Sequence, residues 1–316
     1  MTTQILLFDQ SRSASHLLSR ILSKQAKLQL LYSPLNSRGK QVQWLMSSTW
    51  AEGMSPTDLT AFNEEIEKSL KVYDEAFQKA QADNKILLLH DHPFSAAESQ
   101  RVLGLIKDKV DPGNSDLFAP QLLEILLKKG TTPILTIRDP RLAVPSAFRV
   151  LGEFGLPHGS GRPNFFVSTS TLWTRWLYNS FTSHGIQPVV VDGDDIMAGG
   201  EAFTRLLAER LDLDPEAMLL SWEAPYDHVL NSGHLSKEEY EGLHPMYYKS
   251  QSVLIESSKP DAGRAARNVD LKKEEQSWEA DFEEEDAKLM REAVERAMPQ
   301  YQWLWERRLK RSDMQY

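Results

Sequence analysis

The stretch that decides the fold is "QILLFDQSRSASHLLSRI", residues 4–21. An apolar run, "QILLF" (4–8), leads into small polar residues with one arginine, and a helix then begins. A buried strand that delivers the chain to the amino end of a helix is how phosphate-binding loops are built, because the first helical amides lack intrahelical partners. The triphosphate-binding pattern G-x-x-x-x-G-K-[ST] is absent, since neither its glycines nor its lysine is there. Small residues at Ser13, Ala14 and Ser15 let the backbone approach an anion. Arg12 adds a cation whose forked geometry suits phosphate or sulfate oxygens. The same residues also read as a plain serine-capped helix after a strand.

Three further runs have the character of buried strands: "KILLLH" (85–90), "TPILTI" (132–137) and "QPVVV" (187–191). Helical patterns separate them. Leu59, Phe62, Ile66, Leu70, Tyr73 and Phe77 recur at spacings of three or four, and 120–130, 168–185 and 201–213 are also helical in pattern. Strands apolar on both faces, alternating with helices, predict an α/β fold, a three-layer sandwich with a central parallel sheet. Past residue 213 the strand signal fades. "DPEAMLLSW" (214–222) reads as a helix and 223–270 as irregular. The segment 281–311 reads as a long helix with an acidic start and a basic end, broken or kinked at Pro299. No repeat or low-complexity linker divides the chain. One domain over 1–316 is expected, with a helical, irregular carboxy-terminal part from about 214 to 316.

Composition narrows the function. The 316 residues are 41% hydrophobic and 26% charged, the balance of a soluble globular protein. No window reaches the roughly 20 consecutive apolar residues of a membrane helix. Asp9, Arg12 and Arg20 interrupt the first apolar run, against a signal peptide. With no cysteine, thiolate chemistry and disulfides are excluded and a cytoplasmic location is expected. A formal net charge of −9 disfavours nucleic acid or an anionic membrane as partner, so an anionic ligand needs a local basic pocket.

Each strand ends in polar residues: DQSRSAS, HDH, RDPR and DGDD in turn. In open α/β sheets ligands bind beyond the carboxyl ends of strands, so these clusters should converge. In "TIRDPRLAVPSAFR", Asp139 and Pro140 form a helix start, Arg138 stands at the strand end, and Ser146 follows eight residues later, about two helical turns on. Pro145 falls inside that helix and could kink it. In "LLLHDHPF", His90 and His92 point to one side of an extended chain and Asp91 to the other. The pair reads as a metal-ligand set without an evident third ligand, as a general base, or as strand-end histidines with no chemistry.

Together these segments resemble the sulfotransferases that use 3′-phosphoadenosine 5′-phosphosulfate (PAPS) as donor. In that family a P-K/R-S-G-S/T loop after the first strand binds the 5′-phosphosulfate. "SRSAS" (11–15) matches it, with Arg12 at the basic position and Ser13, Ala14, Ser15 and His16 along the loop. The family's arginine and serine, eight apart, contact the 3′-phosphate and match Arg138 and Ser146. Its K-T-H base segment matches "HDHPF", with His92 as the base and His90 in place of the lysine. Two departures stand out. Ala14 replaces a glycine, and the carboxy-terminal R-K-G-x-x-G-x-W-K loop is absent, its nearest counterpart being "SSKPDAGRAAR" with Lys259, Arg264 and Arg267.

The resemblance implies a P-loop-like phosphosulfate-binding loop and transfer of a sulfuryl group from PAPS to a hydroxyl or amine of a small-molecule acceptor. His92 would be the general base, Arg12 would stabilise the transferring group, and no metal would be required. The alternatives are a P-loop kinase with Asp194 and Asp195 holding a metal, and a non-catalytic nucleotide-binding protein of the same fold. Phe94, Phe148, Phe154, Trp173 and Trp176 read either as core or as an apolar acceptor pocket. The sequence leaves the oligomeric state open.

Overall fold

The structure is a computed structural model and describes residues 2–32, 56–97, 118, 122–152, 162–225 and 250–310. Phe154, Arg311, half of the irregular stretch (226–249) and the side chains of Leu59, Phe62 and Ile66 lie outside the described residues.

Five parallel strands form one sheet: β1 (Gln4–Asp9), β2 (Leu28–Tyr32), β3 (Ile86–Asp91), β4 (Thr131–Ile137) and β5 (Val189–Asp192). Their order is β2-β3-β1-β4-β5. The period-two alternation of a strand sends neighbouring side chains to opposite faces. Leu6 and Phe8 therefore join Leu87, Leu89 and Leu135 on one face, under Tyr73 and Phe77 of the Pro56–Ala82 helix and Trp173, Trp176 and Phe181 of the Leu172–Ser183 helix. Ile5 and Leu7 join Leu88, Ile134 and Val191 on the other, under Leu18 and Ile21 of the Ser15–Ile21 helix and Phe203, Leu207 and Leu211 of the Gly200–Leu211 helix. The fold is the α/β sandwich of three layers that the apolar runs predict. Burying each such side chain contributes about 1.5–3 kcal/mol relative to leaving it exposed.

The register places the polar strand ends in one row. Phe8 lies level with Asp91, Asp9 with Thr136, and Ile137 with Asp192. Since β1 is flanked by β3 and β4, the first three motifs become neighbours.

The structure departs from the sequence reading in four places. Strand β2 was not expected, because as an edge strand it fully buries only Leu31 and lacks the continuous apolar run of a central strand. The 214–222 segment is no helix. It makes one short turn, Pro215–Ala217, capped by the Asp214 side chain, and then runs extended, with the Leu219 amide donating to the Ile21 carbonyl at 2.9 Å. The 223–270 stretch is not wholly irregular, since 250–256 is helical. Nor does Pro299 break the long helix, which spans Glu284–Glu306. Proline removes one backbone bond, and burial of Ala297, Tyr301 and Leu304 against the body of the protein holds the turn together. The Pro140–Gly152 helix likewise continues through Pro145. Among the described residues no helix is long and apolar enough to cross a membrane.

Candidate active site

The loop after β1 is tied down at several points. The Ser13 hydroxyl pairs with that of Thr136 on β4 at 2.7 Å, the Ser13 amide donates to the Gln10 carbonyl at 3.1 Å, and the Gln10 amide donates to the Thr136 carbonyl at 3.3 Å. Arg12 and Ala14 both adopt the left-handed backbone conformation, with φ of 68° and 66°. Left-handed residues are a component of anion-binding nests, in which successive loop amides face one ligand. For a residue with a Cβ that conformation costs on the order of 1–3 kcal/mol, a strain found mostly at functional sites. Gly193, after β5, backs the loop: a Cβ there would stand 2.7 Å from the Ser13 carbonyl oxygen.

Arginines converge beside this loop. Arg12 Nε donates to Ser146 Oγ at 3.0 Å and its Nη1 to the Ser250 carbonyl at 2.6 Å. Arg138 Nη1 donates to the Arg12 carbonyl at 3.2 Å and its Nη2 to the Arg264 carbonyl at 3.0 Å, while its Nε is buried without a hydrogen-bond partner. Burial, and then the charges of Arg138 and Arg264, bring the Arg12 pKa down to about 10. Arg138 is lowered by burial too, with Arg264 adding to it and Asp194, Asp192 and Asp139 opposing. Two buried guanidiniums that repel each other and Arg264 would each be relieved by an anion bound between them.

The acidic residues after β5 are engaged elsewhere. Asp194 Oδ2 accepts the Ala266 amide at 2.8 Å, and Asp195 Oδ2 accepts from Arg308 Nε at 3.2 Å. They anchor the 262–268 segment and the chain's last described turn rather than pairing with each other. Arg264 itself is half-exposed and bonded to Asp261, and Arg267 Nη2 reaches the Asp194 carbonyl at 3.3 Å. Arg264 is therefore the basic residue of this segment nearest to Arg12 and Arg138 in effect.

On the other flank of the loop, Asp9 gathers the histidines. His92 Nδ1 lies 2.8 Å from Asp9 Oδ1 and 3.2 Å from the Asp9 carbonyl, and the His92 amide donates to Asp91 Oδ1 at 2.8 Å. His90 Nε2 lies 3.7 Å from Asp9 Oδ2, and its Nδ1 lies 3.0 Å from Ser19 Oγ. His16 and Tyr32 complete the cluster, with Tyr32 Oη 2.9 Å from His16 Nε2 and both rings against His90. Burial alone would raise Asp9 and lower His92. The attraction between them wins, holding Asp9 well below the usual carboxylate range and raising His92 to about 9. A third of the His92 side chain still meets solvent, whereas His90 is buried.

The structure thus brings Arg12, Ser13, Ala14, Arg138 and Ser146 together on one flank of the loop's row, and His16, His90 and His92 on the other, with Ser15 bonded to Asp9 between them. Of the aromatic candidates, Phe94, Phe148, Trp173 and Trp176 are all buried in the cores, and Phe94 also stacks on the His92 ring with centroids 5.2 Å apart. Asp9, Thr136, Gly193 and Ser250 were missed. Asp9 carried a signal, a charge at the end of a buried strand, where a charge requires a partner. Gly193 and Ser250 carried none, since only the folded chain brings them to the loop.

No protein-family model matches the chain. Two curated proteins are similar to it. "Sulfotransferase ppzF" of Metarhizium majus (strain ARSEF 297) is 25% identical over 190 residues, which is 56% of this chain and 53% of that protein. "Sulfotransferase ppzF" of Metarhizium rileyi (strain RCEF 4871) is 24% identical over 190 residues, with the same coverage of 56% and 53%. The chain spans about half the length of the curated relatives it matches.

Proposed function

We propose that this chain is a PAPS-dependent sulfotransferase that moves a sulfuryl group to a hydroxyl or amine of a small-molecule acceptor. The observation that carries the reading is the Arg12–Ser146 hydrogen bond at 3.0 Å. It joins the two motif halves, 134 residues apart, into one basic site at the carboxyl ends of β1 and β4. Similarity to two proteins named sulfotransferases supports the same reading. We extend it to a single domain acting on acceptors in the cytoplasm.

The residues present fit a donor with two separated anionic groups. Arg138, with its unused Nε, and Ser146 would hold the 3′-phosphate that distinguishes PAPS from ATP. Arg12 and the amides of Ala14, Ser15 and His16 would stabilise charge developing on the transferring group and on the bridging oxygen, with Ser13, whose amide is held by the Gln10 carbonyl, bracing the loop. Arg264 would close over the phosphate from the 262–268 segment. His92 would take the acceptor proton through Nε2, because Nδ1 is committed to Asp9. The bond from sulfur to the nucleotide's phosphate breaks as the acceptor oxygen attacks, leaving 3′,5′-ADP, the sulfated acceptor and a proton. With His92 titrating near 9, the rate should climb with pH toward that value as the neutral base becomes populated. A nucleotide phosphate leaves as a stable anion, so this chemistry invokes no metal. One oxygen of Asp194 is bonded to the Ala266 amide and one of Asp195 to Arg308, which counts against the kinase alternative.

The test is incubation with PAPS and a panel of phenols, alcohols and amines, reading 3′,5′-ADP and sulfated product by mass spectrometry. Acceptor-dependent release of both supports the assignment, and phosphoryl transfer from Mg·ATP to the same panel would replace it with the kinase.

A further inference from the structure

Asp9 belongs to neither motif, yet it is buried at the end of the central strand, where a carboxylate is costly unless it is bonded. Ser15 Oγ donates to its Oδ2 at 2.6 Å, and His92 Nδ1 lies 2.8 Å from its Oδ1. One side chain therefore joins the first residue of the helix that follows the loop to the histidine that follows β3. Building on the sulfotransferase reading, we propose that Asp9 is a positioning residue that fixes His92 with Nε2 presented to the acceptor and, through Ser15, holds that nitrogen in register with the donor loop.

The geometry restricts the ring from two sides. Nδ1 meets both the carboxylate and the carbonyl of Asp9, and Phe94 stacks nearly parallel to the imidazole, at 16°. A flipped ring would turn a carbon toward a buried carboxylate. A mere helix cap would need only the Ser15 bond, and a mere counter-ion would need only the charge. Asp9 uses one oxygen for each. The charged and titratable groups around this pair are His90 and Asp91 on β3, His16 on the first helix beside His90, and Arg12 in the loop. During transfer the acceptor O–H proton passes to neutral Nε2 as the new oxygen–sulfur bond forms and the bond from sulfur to the nucleotide's phosphate oxygen breaks, releasing 3′,5′-ADP. The resulting imidazolium is held by Asp9 until it releases the proton to solvent. An aspartate that fixes a histidine's tautomer and stabilises its cation is the arrangement of hydrolase triads, reached here from a different fold position.

The test uses the full chain with ¹⁵N-labelled histidine, followed by NMR against pH, together with calorimetric titration of 3′,5′-ADP. The wild type should show His92 protonated on Nδ1 above its midpoint, with that midpoint near 9. Asp9→Asn should bring the midpoint down toward 6.5 or below, and should move any break in 3′,5′-ADP affinity with pH by the same amount. Ser15→Ala should leave the His92 midpoint in place while weakening 3′,5′-ADP about fivefold, the value of one ordinary hydrogen bond. Finding wild-type His92 in the Nε2–H tautomer overturns the proposal without any variant. So does an unchanged His92 midpoint in Asp9→Asn, or a nucleotide affinity untouched by both substitutions. Failure of wild-type protein to bind 3′,5′-ADP at all would instead sink the sulfotransferase reading, which the tautomer measurement does not address.

Discussion

Arg12 Nε and Ser146 Oγ are hydrogen-bonded at 3.0 Å, so the loop after β1 and the helix after β4 share a side-chain contact beside the Arg138 guanidinium. The Ser146 hydroxyl accepts from Arg12 and keeps its own proton to donate onward. Ser146→Ala should weaken 3′,5′-ADP binding about 10- to 100-fold by removing one hydrogen bond to a charged group, and should change thermal stability little. A loss above a hundredfold would mean that Ser146 organises Arg12 rather than contacting the ligand, which calorimetry on both single variants and the double variant would separate.

Gly193 meets the loop from behind, and its Cβ position lies 2.7 Å from the Ser13 carbonyl, a backbone atom with little room to yield. Gly193→Ala should cost about 1–3 kcal/mol of stability, as overpacking of a tight contact does, and should also weaken nucleotide binding by displacing the loop. Thermal denaturation with and without 3′,5′-ADP measures both. Full retention of stability would show that the loop does not depend on this contact.

Ala14 carries φ of 66°, a conformation that glycine adopts without penalty. Relief of the left-handed strain exceeds the added freedom of the unfolded chain, so Ala14→Gly should stabilise the protein by roughly 1 kcal/mol. A chemical denaturation midpoint that falls instead would place the Ala14 methyl in a packing role.

Stability should decline as pH rises through the neutral range, for two reasons that add. His92 has a folded pKa raised to about 9 from 6.5, against the pull of burial, because of Asp9. Its contribution is complete below about 6.5 and is lost as pH passes through about 9. Asp192 is buried, and that burial, with Asp194 and Asp195 nearby, raises its pKa to about 7 from 3.8 despite bonds from the Asp194 amide and Tyr301. Folding favours its protonated form, so its contribution is present below about 3.8 and is lost as pH rises through about 7. Asp192→Asn should flatten the melting temperature between pH 5 and 8, and His92→Gln should flatten it between 7 and 9. An unchanged slope in Asp192→Asn would contradict the buried, near-neutral assignment of that carboxyl.

Much of this site was legible in the chain. Arg12 and Arg138 stood out because a cation directly after a buried strand has few structural uses, and because parallel strands must end on one side of the sheet, whereas Ser146 was picked out by the family resemblance. The sheet itself was legible in four of its five strands, and β2 was not, since an edge strand needs no continuous apolar run. Asp9 signalled only that a strand-end charge needs a partner, and it is the pairing of β1 with β3 that puts it against His90 and His92. Ser250 was hidden by distance, and Arg264 was named only as one of three basic residues, with Lys259 and Arg267, in the nearest counterpart of a missing loop. Their carbonyls bind Arg12 and Arg138 from segments more than a hundred residues away, a closure that local pattern cannot encode.

The central claim is that Arg138 and its neighbours read a 3′-phosphate, and calorimetric titration with 3′,5′-ADP beside 5′-AMP tests it most directly. The account predicts that 3′,5′-ADP binds at least tenfold more tightly than 5′-AMP, and that Arg138→Ala erases most of the difference, the loss of a charge-assisted pair being about 1.5–3 kcal/mol. Equal affinity for the two nucleotides, or a preference that survives Arg138→Ala, would contradict it.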